Sequence, residues 1–336
     1  MLVTCYALLY RLNSVLQRIG VGKILRRSAI VDRVKRLMQR EVWVQVQSGL
    51  SQGMWMRLRV PSEGGYWQGT HEPDVQNAII CAVQPGMVVY DIGAHLGSFA
   101  LGAARLVGKL GCVVAFDGDP ENISRLRENV RRNELAEDRL RVVHGAVWSS
   151  TPSEGIPFRR GGEVTSHGGV EANGNQPVTG TGEIITVPAI TLDDFIAAGN
   201  PEPHLMKIDV EGGEYEVLRG GVRLLGSQRP LILAEVHRQE AADQICSLLN
   251  DHHYCLQWHR PQFDLAILQT VWDSGFPQRL FAWPPEYAGA IWMARVYSRP
   301  AKMDFDTALT ISSTGPLHSG ELFSGEHEGI VESPDG

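Results

Sequence analysis

The sequence lacks the features that mark several classes of protein. In its 336 residues, no apolar run reaches the roughly 18 residues that a membrane-spanning helix needs. Its five cysteines are odd in number and never stand in CxxC spacing, which argues against a disulfide framework and a cysteine zinc site and favours a reducing, cytoplasmic location. The N-terminal segment MLVTCYALLYRLN has neither a positively charged start nor a small-residue cleavage site, so we do not interpret it as a secretory signal.

Positive charge is scarce outside the N-terminus. Residues 1–40 carry nine Lys/Arg against Asp32 alone, a local charge of +8, which leaves −15 for the rest of a chain whose net charge is −7. Apolar residues at helical spacing predict one or two basic amphipathic helices there. Their basic face either contacts an anionic membrane surface or an acidic partner, or is solvated while the apolar stripe packs on the main domain, which we favour. Because the remainder is acidic and would repel phosphate, no nucleic-acid partner is expected.

Alternating strands and helices dominate the chain after Pro85, a pattern typical of a parallel α/β sheet with helices on both faces. We predict sheet strands near 87–92, 112–117, 140–144, 205–210, 231–236, 253–258 and 290–296. Helices are predicted near 73–83, 97–107, 120–132, 191–198, 213–225 and 238–250. Only a loop separates the last two strands, so the final pairing is expected to be antiparallel. Two further short strands are expected in REVWVQVQ and MWMRLRV.

The composition divides the chain into three parts. Residues 1–65 are expected to form the basic arm and the two short strands, and 66–298 the main domain. Within the main domain, 149–186 is rich in Gly, Ser, Thr and Pro, and we interpret it as a flexible insertion, either a hairpin or a mobile loop over a site. The polar, acidic tail at 299–336 is expected to be disordered.

A glycine-rich turn follows the first sheet strand. In VVYDIGAHLGSFA the strand ends at Asp91, and Gly93 and Gly97 precede an apolar helix. This D-x-G-x-x-x-G spacing is not the G-x-G-x-x-G of dinucleotide binders, which disfavours a Rossmann dehydrogenase, and no GxxxxGK(S/T) phosphate loop is present. A carboxylate at the strand end suits a cationic or amine-bearing ligand.

A second acid, Asp117, ends the next strand. Nucleoside-binding sheets place an acid there to accept hydrogen bonds from ribose hydroxyls. The alternative is a helix N-cap, a role that we give instead to Asp119 in DPEN. Together with Asp91, this acid favours S-adenosylmethionine over NAD or ATP.

A cluster of charged residues is predicted at the two central strand ends. Lys207, Asp209 and Glu211 alternate with apolar residues in KIDVEGGE, and Glu235 and His237 end the next strand in LILAEVH. Because ligands bind beyond the carboxyl ends of parallel strands, we expect these five side chains to converge. The alternatives are helix caps, a satisfied core histidine and a solvated edge strand. Such carboxylates could also bind Mg²⁺ or Ca²⁺, but we do not favour a metal on the sequence alone.

The order and spacing of five segments resemble the FkbM-type methyltransferases. The segments are VVYDIGAHLGSFA, VVAFDGDPENISRLRENVRRNEL, TLDDF, LMKIDVEGGEYEVLRGG and RPLILAEVH. The resemblance covers roughly 66–296. It implies an S-adenosylmethionine-dependent enzyme with the class I methyltransferase (Rossmann-like) fold, a seven-stranded, mostly parallel sheet with an antiparallel last strand. Members of this family mostly methylate hydroxyl groups on sugars and natural products.

The resemblance also implies which residues bind the cofactor. Asp91, Gly93 and Gly97 would hold its methionine part, with Ala94 and His95 in the same turn. Asp117 would bind the ribose, and Ala146 and Val147 would border the adenine. Glu72, beside His71 in GTHEP, would close over the cofactor. The chain departs from the family in having Asp117-Gly118 where F-E-P is usual and His95 where Asn is usual.

The predicted activity is O-methylation of a sugar, glycan or natural-product hydroxyl. An alcohol is a poor nucleophile, so a general base is required. His237 is a candidate by its intrinsic pKa, and Asp209 is the alternative. Lys207, Glu211 and Glu235 complete the catalytic candidates, with Glu211 expected to hold substrate hydroxyls, the cofactor amine or a helix N-terminus. The alternative function is a non-catalytic nucleoside-binding module that docks through the basic arm.

Overall fold

The computed structural model describes residues 40–60, 62–161, 169–170, 182–259 and 278–286. The predicted helical arm, the acidic tail and the strand predicted at 290–296 lie outside these ranges. None of the helices within them is both long and apolar enough to cross a membrane.

The helices and strands of the described residues follow the predicted alternation. The strands, β1 to β14, are Arg40–Gln45, Trp55–Val60, Val88–Ile92, Cys112–Asp117, Leu140–His144, Ala146–Val147, Ile156–Arg159, Gly169–Val170, Ile184–Val187, Ala189–Ile190, Leu205–Ile208, Leu231–Val236, Cys255–His259 and Gln278–Trp283. The helices, α1 to α8, are Gly64–Gln68, Pro73–Ala82, Ser98–Leu106, Pro120–Arg132, Leu192–Ala197, Glu214–Arg219, Val222–Gly226 and Gln239–Asp251.

Seven strands form one sheet in the order β13-β14-β12-β11-β3-β4-β5. Strands β12, β11, β3, β4 and β5 pair in parallel, and β14 runs antiparallel to both β12 and β13. This arrangement confirms the predicted class I methyltransferase fold with its antiparallel last strand. It also puts β11, which carries the KIDVEGGE segment, fourth of seven strands, so a solvated edge strand is excluded.

Helices cover both faces of this sheet because successive strand residues point to opposite sides. On β11, Leu205 packs into the core with α2, α3, α4 and the β1–β2 hairpin, whereas Met206 packs into the core with α5 to α8. Both side chains are fully buried. Since the two faces are covered, ligands reach the sheet at the carboxyl ends of its strands.

One strand of the sheet was not predicted from the sequence. It lies at Gln278–Trp283, where Leu280, Phe281 and Ala282 are all buried, whereas the strand predicted at 290–296 lies outside the described residues. A strand that is buried on both sides has no alternation of apolar and polar residues, and a period-two pattern therefore misses it.

The single helix predicted over 213–225 is also wrong, because α6 ends at Arg219 and α7 begins at Val222. Gly220 lies at the break, in contact with the backbone of Trp148, and a Cβ on Gly220 would overlap the Trp148 carbonyl oxygen.

The insertion at 149–186 contributes a small antiparallel sheet to the main domain. Strand β7 pairs with β9 and with β8, so the described residues favour the hairpin alternative. Phe158 on β7 lies directly against Gly118, where a Cβ would overlap its ring. This contact fixes the hairpin beside the carboxyl end of β4.

Candidate active site

A cavity that is open to solvent at its mouth lies at the carboxyl ends of β3, β4 and β11. Six of the predicted cofactor residues line it: Gly93, Ala94, His95, Asp117, Ala146 and Val147. Three of the predicted catalytic residues line it as well: Lys207, Asp209 and Glu211. Members of both predicted groups therefore share one continuous space, whereas Glu235 and His237 are not among the residues that line it.

The turn after β3 must pass very close to the strand end of β11. Gly93 has φ of 80°, and a Cβ there would overlap the carbonyl oxygen of Asp209. The amides of Gly93 and Ala94 both donate to the Phe116 carbonyl oxygen, at 3.0 and 2.8 Å. Gly97 is not a lining residue; it precedes α3, where a Cβ would overlap the Leu126 side chain.

His95 occupies a left-handed backbone conformation, with φ of 51°. Asn and His are among the residues that tolerate this region best, which explains how His95 can stand where the family usually has Asn. Its Nδ1 lies 3.1 Å from the Tyr66 hydroxyl. The side chain thereby links the turn to α1.

Asp117 lines the cavity, and its carboxylate is held by three donors. Oδ2 accepts from the His95 amide at 2.8 Å, and Oδ1 accepts from the Asp119 amide at 2.8 Å and from the Asn122 side chain at 3.3 Å. Burial raises the pKa of Asp117 to about 7 although these donors lower it. Asp119 caps α4 as predicted, since its side chain accepts from the Glu121 amide at 2.8 Å.

Asp91 lies beneath the cavity and pairs with a lysine of this chain. It is 1% exposed, and Lys207 Nζ stands 3.5 Å from its Oδ1. The same ammonium is 3.4 Å from Asp209 Oδ2 and donates to the Gly93 carbonyl at 3.1 Å. The cationic partner that the structure gives Asp91 is therefore Lys207, which joins the turn after β3 to the end of β11.

The polar residues predicted at the ends of β11 and β12 do converge, around the His237 ring. Its Nε2 lies 3.5 Å from Glu211 Oε2, 3.8 Å from Glu235 Oε1 and 3.9 Å from Asp209 Oδ1. On the other side of the ring, Nδ1 lies 2.8 Å from Oε1 of the fully buried Glu214.

The surrounding carboxylates keep His237 protonated. Burial alone would lower its pKa, but Glu214, followed by Glu211 and Asp209, raises the pKa of His237 to about 10. An imidazolium cannot accept a proton. The predicted role of His237 as the base therefore requires that this proton first be displaced, whereas a carboxylate such as Asp209 accepts one directly.

Arg279 was missed by the sequence analysis, although it organises one side of the cluster. It is 2% exposed and pairs with Asp74 of α2, and its Nη2 lies 3.1 Å from Glu235 Oε2 and 3.7 Å from Glu72 Oε2. A single arginine beside the apolar run LFAW was the available signal. Glu72 thus belongs with the charged cluster: burial, and then Asp209 and Glu235, raise its pKa to about 8.

Aromatic side chains form another wall of the cavity that the motifs did not reveal. Tyr66, His71 and Phe99 all line it. The rings of Tyr66 and His71 have centroids 4.2 Å apart, and those of His71 and Phe99 are 6.1 Å apart. Tyr66 lies in α1, ahead of the GTHEP segment, and it was not predicted because no motif includes it.

Comparisons with known proteins point to one family of enzymes. The profile of the Methyltransferase FkbM domain matches residues 91–258, half of the chain. The hexuronic acid methyltransferase AglP of Haloferax volcanii is 26% identical in an alignment of 240 residues that covers 66% of this chain and 89% of that protein. The 31-O-demethyl-FK506 methyltransferase FkbM of Streptomyces tacrolimicus is 29% identical in an alignment of 196 residues that covers 51% of this chain and 74% of that one.

Among solved structures, the methyltransferase FkbM of Methylobacillus flagellatus KT aligns with a TM-score of 0.41 and 16% identity. The alignment covers 66% of this chain and about half, 52%, of that one. Both sequence relatives are named as methyltransferases, so they give no support to a non-catalytic binding module. The matched profile, the five ordered motifs and the sheet lead to one conclusion: the chain belongs to the FkbM methyltransferase family.

Proposed function

We propose that this S-adenosylmethionine-dependent methyltransferase methylates a hydroxyl group of a sugar, glycan or natural product. The observation that carries the proposal is the single cavity that joins the Asp117 end of β4 to the carboxylates after β11. One relative is named for a hexuronic acid and another for a hydroxyl of a natural product. At under 30% identity they support the class of acceptor and not its identity.

The residues of the nucleoside side fit the cofactor. Asp117 offers a buried carboxylate in the cavity wall for the ribose hydroxyls, and Ala146 and Val147 offer an apolar border for the adenine. The backbone of the turn Gly93–His95 lines the cavity and would hold the methionine part of the cofactor. The cofactor, when bound, supplies an electrophilic methyl group on its sulfonium.

The residues at the end of β11 would then hold the acceptor. A hydroxyl that donates to Asp209 or Glu211 is oriented by that hydrogen bond, and Asp209 can take its proton as the new bond forms. Lys207 fixes the Asp209 carboxylate from below, at 3.4 Å. Tyr66 and His71 also line the cavity.

Release of S-adenosylhomocysteine from a panel of acceptors tests this proposal. The panel contains neutral sugars, hexuronic acids, hydroxylated polyketides and, for contrast, primary amines. We expect turnover with a hydroxylated acceptor, and Asp209→Asn should reduce it about 10²-fold or more while cofactor binding persists. Glu240→Gln, an exposed carboxylate on α8, is the matched control and should leave turnover unchanged. Turnover with amines alone would overturn the O-methyl assignment.

A further inference from the structure

We propose that Asp209, Glu211 and His237 form a binding site for a divalent transition-metal cation of the Mn²⁺ type. One ligand atom from each of the three residues lies within 4.8 Å of the other two. His237 Nε2 is 3.5 Å from Glu211 Oε2 and 3.9 Å from Asp209 Oδ1. Ligands that share one ion at about 2.0–2.2 Å stand about 3–4 Å apart, so these atoms are already close to the separation that coordination requires.

His237 is oriented as a metal-binding histidine is. Glu214 is fully buried, and its Oε1 accepts from Nδ1 at 2.8 Å, so Nε2 is the nitrogen that faces the carboxylates, and a bound cation would displace its proton. Histidine ligands almost always donate their second ring N–H to such an outer carboxylate or carbonyl. Glu214 Oε1 also accepts from the Gly212 amide at 2.7 Å, which holds the turn that carries Glu211.

The charge of the surroundings independently favours a cation. Besides the three proposed ligands, the cluster contains the carboxylates of Glu72, Glu235 and Glu214. Glu214 is completely shielded, and its Oε2 has no hydrogen-bond partner among the described residues. Lys207 and Arg279 lie close to the cluster, and each also pairs with a further acid, Asp91 and Asp74 respectively. The Arg238 guanidinium lies against Gly212. Even when these three side chains and the His237 ring are counted as cations, the seven carboxyl groups outnumber them in a region that is largely shielded from water.

The donor set selects the type of ion. Mg²⁺ and Ca²⁺ prefer ligand sets made of oxygen alone, whereas an imidazole with two carboxylates suits Mn²⁺, Fe²⁺ or Zn²⁺. Three protein ligands leave coordination positions open for an acceptor. If the proposed function holds, on which this step rests, an acceptor hydroxyl near the ion would have a lowered pKa. Asp209 would then be a ligand of the ion, and Glu235, whose Oε1 lies 3.8 Å from Nε2, would take the hydroxyl proton in its place.

Titration of the chelator-treated full-length chain with Mn²⁺, followed by electron paramagnetic resonance of the free ion, tests the site without cofactor or acceptor. We expect one equivalent to bind in the wild type, with at least tenfold weaker binding in Asp209→Asn, Glu211→Gln and His237→Gln. Glu214→Gln should weaken binding about 10–100-fold, as loss of an outer partner does. Glu240→Gln should bind as the wild type does, and Mg²⁺ should bind at least tenfold more weakly than Mn²⁺.

Failure of the folded wild type to bind one equivalent of Mn²⁺ at millimolar concentration would overturn the metal site, as would equal binding by wild type and Glu211→Gln. Circular dichroism melting identifies a variant that has lost its fold, and the wild-type titration decides the question without the variants. Cofactor binding is measured separately. A chain that binds Mn²⁺ but not the cofactor would refute the proposed function alone, and a chain that binds the cofactor but not Mn²⁺ would refute the metal site alone.

Discussion

Lys207 connects more of the site than any motif indicated. Its ammonium lies between Asp91 and Asp209 and donates to the Gly93 carbonyl. Its Nζ also lies over the Phe99 ring, 5.2 Å from the ring centroid. Burial opposes its charge, but Asp209 and Asp91 raise the pKa of Lys207, so it stays protonated. Its side chain is 5% exposed. We therefore regard it as a positioning residue that fixes the two strand ends relative to each other.

Lys207→Met should lower the free energy of unfolding by about 3–5 kcal/mol, because it leaves two carboxylates without the cation that they share. Urea denaturation at pH 7 measures the loss. The double variant Asp91→Asn, Lys207→Met removes one of the carboxylates and should recover part of that stability. A single variant as stable as the wild type would contradict this role.

Asp117 should make cofactor affinity depend on pH. Burial raises the pKa of Asp117 from its ordinary value of 3.8 to about 7. The neutral carboxyl therefore stabilises the ligand-free fold at low pH. That contribution is lost as the pH rises from about 3.8 through about 7. Ribose hydroxyls donate to the ionised form. Cofactor affinity should therefore rise between pH 6 and pH 8, approaching tenfold per unit below the pKa. Calorimetry across that range with wild type and Asp117→Asn checks it; the same pH profile in both would contradict the assignment.

At the scale of elements, the corners between strands and helices position the site. Strand lengths and helix starts were predictable because apolar periodicity and Asp or Pro caps are local signals, as at Asp119 before α4. The break between α6 and α7 was not predictable, because it depends on the backbone of Trp148, 72 positions before Gly220. Strand β14 and Arg279 were missed for a related reason: their pairing with β12 and Asp74 is non-local and leaves no periodic trace.

The break at Gly220 can be tested with a matched pair of glycines. Gly220→Ala would place a methyl group on the Trp148 carbonyl oxygen and should cost about 1–3 kcal/mol of stability. Gly226→Ala, at the end of α7, meets no atom closer than 3.9 Å and should be neutral or stabilising by up to about 1 kcal/mol. Thermal melts of both variants measure the difference. Equal melting temperatures would show that the contact with Trp148 is unimportant.

The whole molecule joins distant parts of the chain at the site. Arg279 on β14 pairs with Asp74 of α2, 205 positions earlier, and with Glu235 of β12. The convergence of Lys207, Asp209, Glu211, Glu235 and His237 was predictable, because the ends of parallel strands meet at one edge. Glu214 and Arg279, the partners that fix those groups, were not predictable. Their importance comes from their burial in the folded protein, which no local pattern of the sequence indicates.

Arg279→Met should destabilise the whole molecule, by about 3–5 kcal/mol, since it leaves Asp74, Glu235 and Glu72 without a guanidinium in a shielded region. Arg279→Lys keeps the charge but cannot reach several carboxylates at once, so an intermediate loss is expected. Urea unfolding of the full chain measures both. If Arg279→Met unfolds at the same urea concentration as the wild type, the network does not hold the sheet edge to α2.

The central claim is that this cavity binds S-adenosylmethionine, and calorimetric titration of the full-length chain with that compound tests it most directly. The account predicts binding at one site in the micromolar range, weaker binding by Asp117→Asn, and unchanged binding by Glu240→Gln. Absence of binding to the folded wild type, or equal binding of NAD, would contradict it.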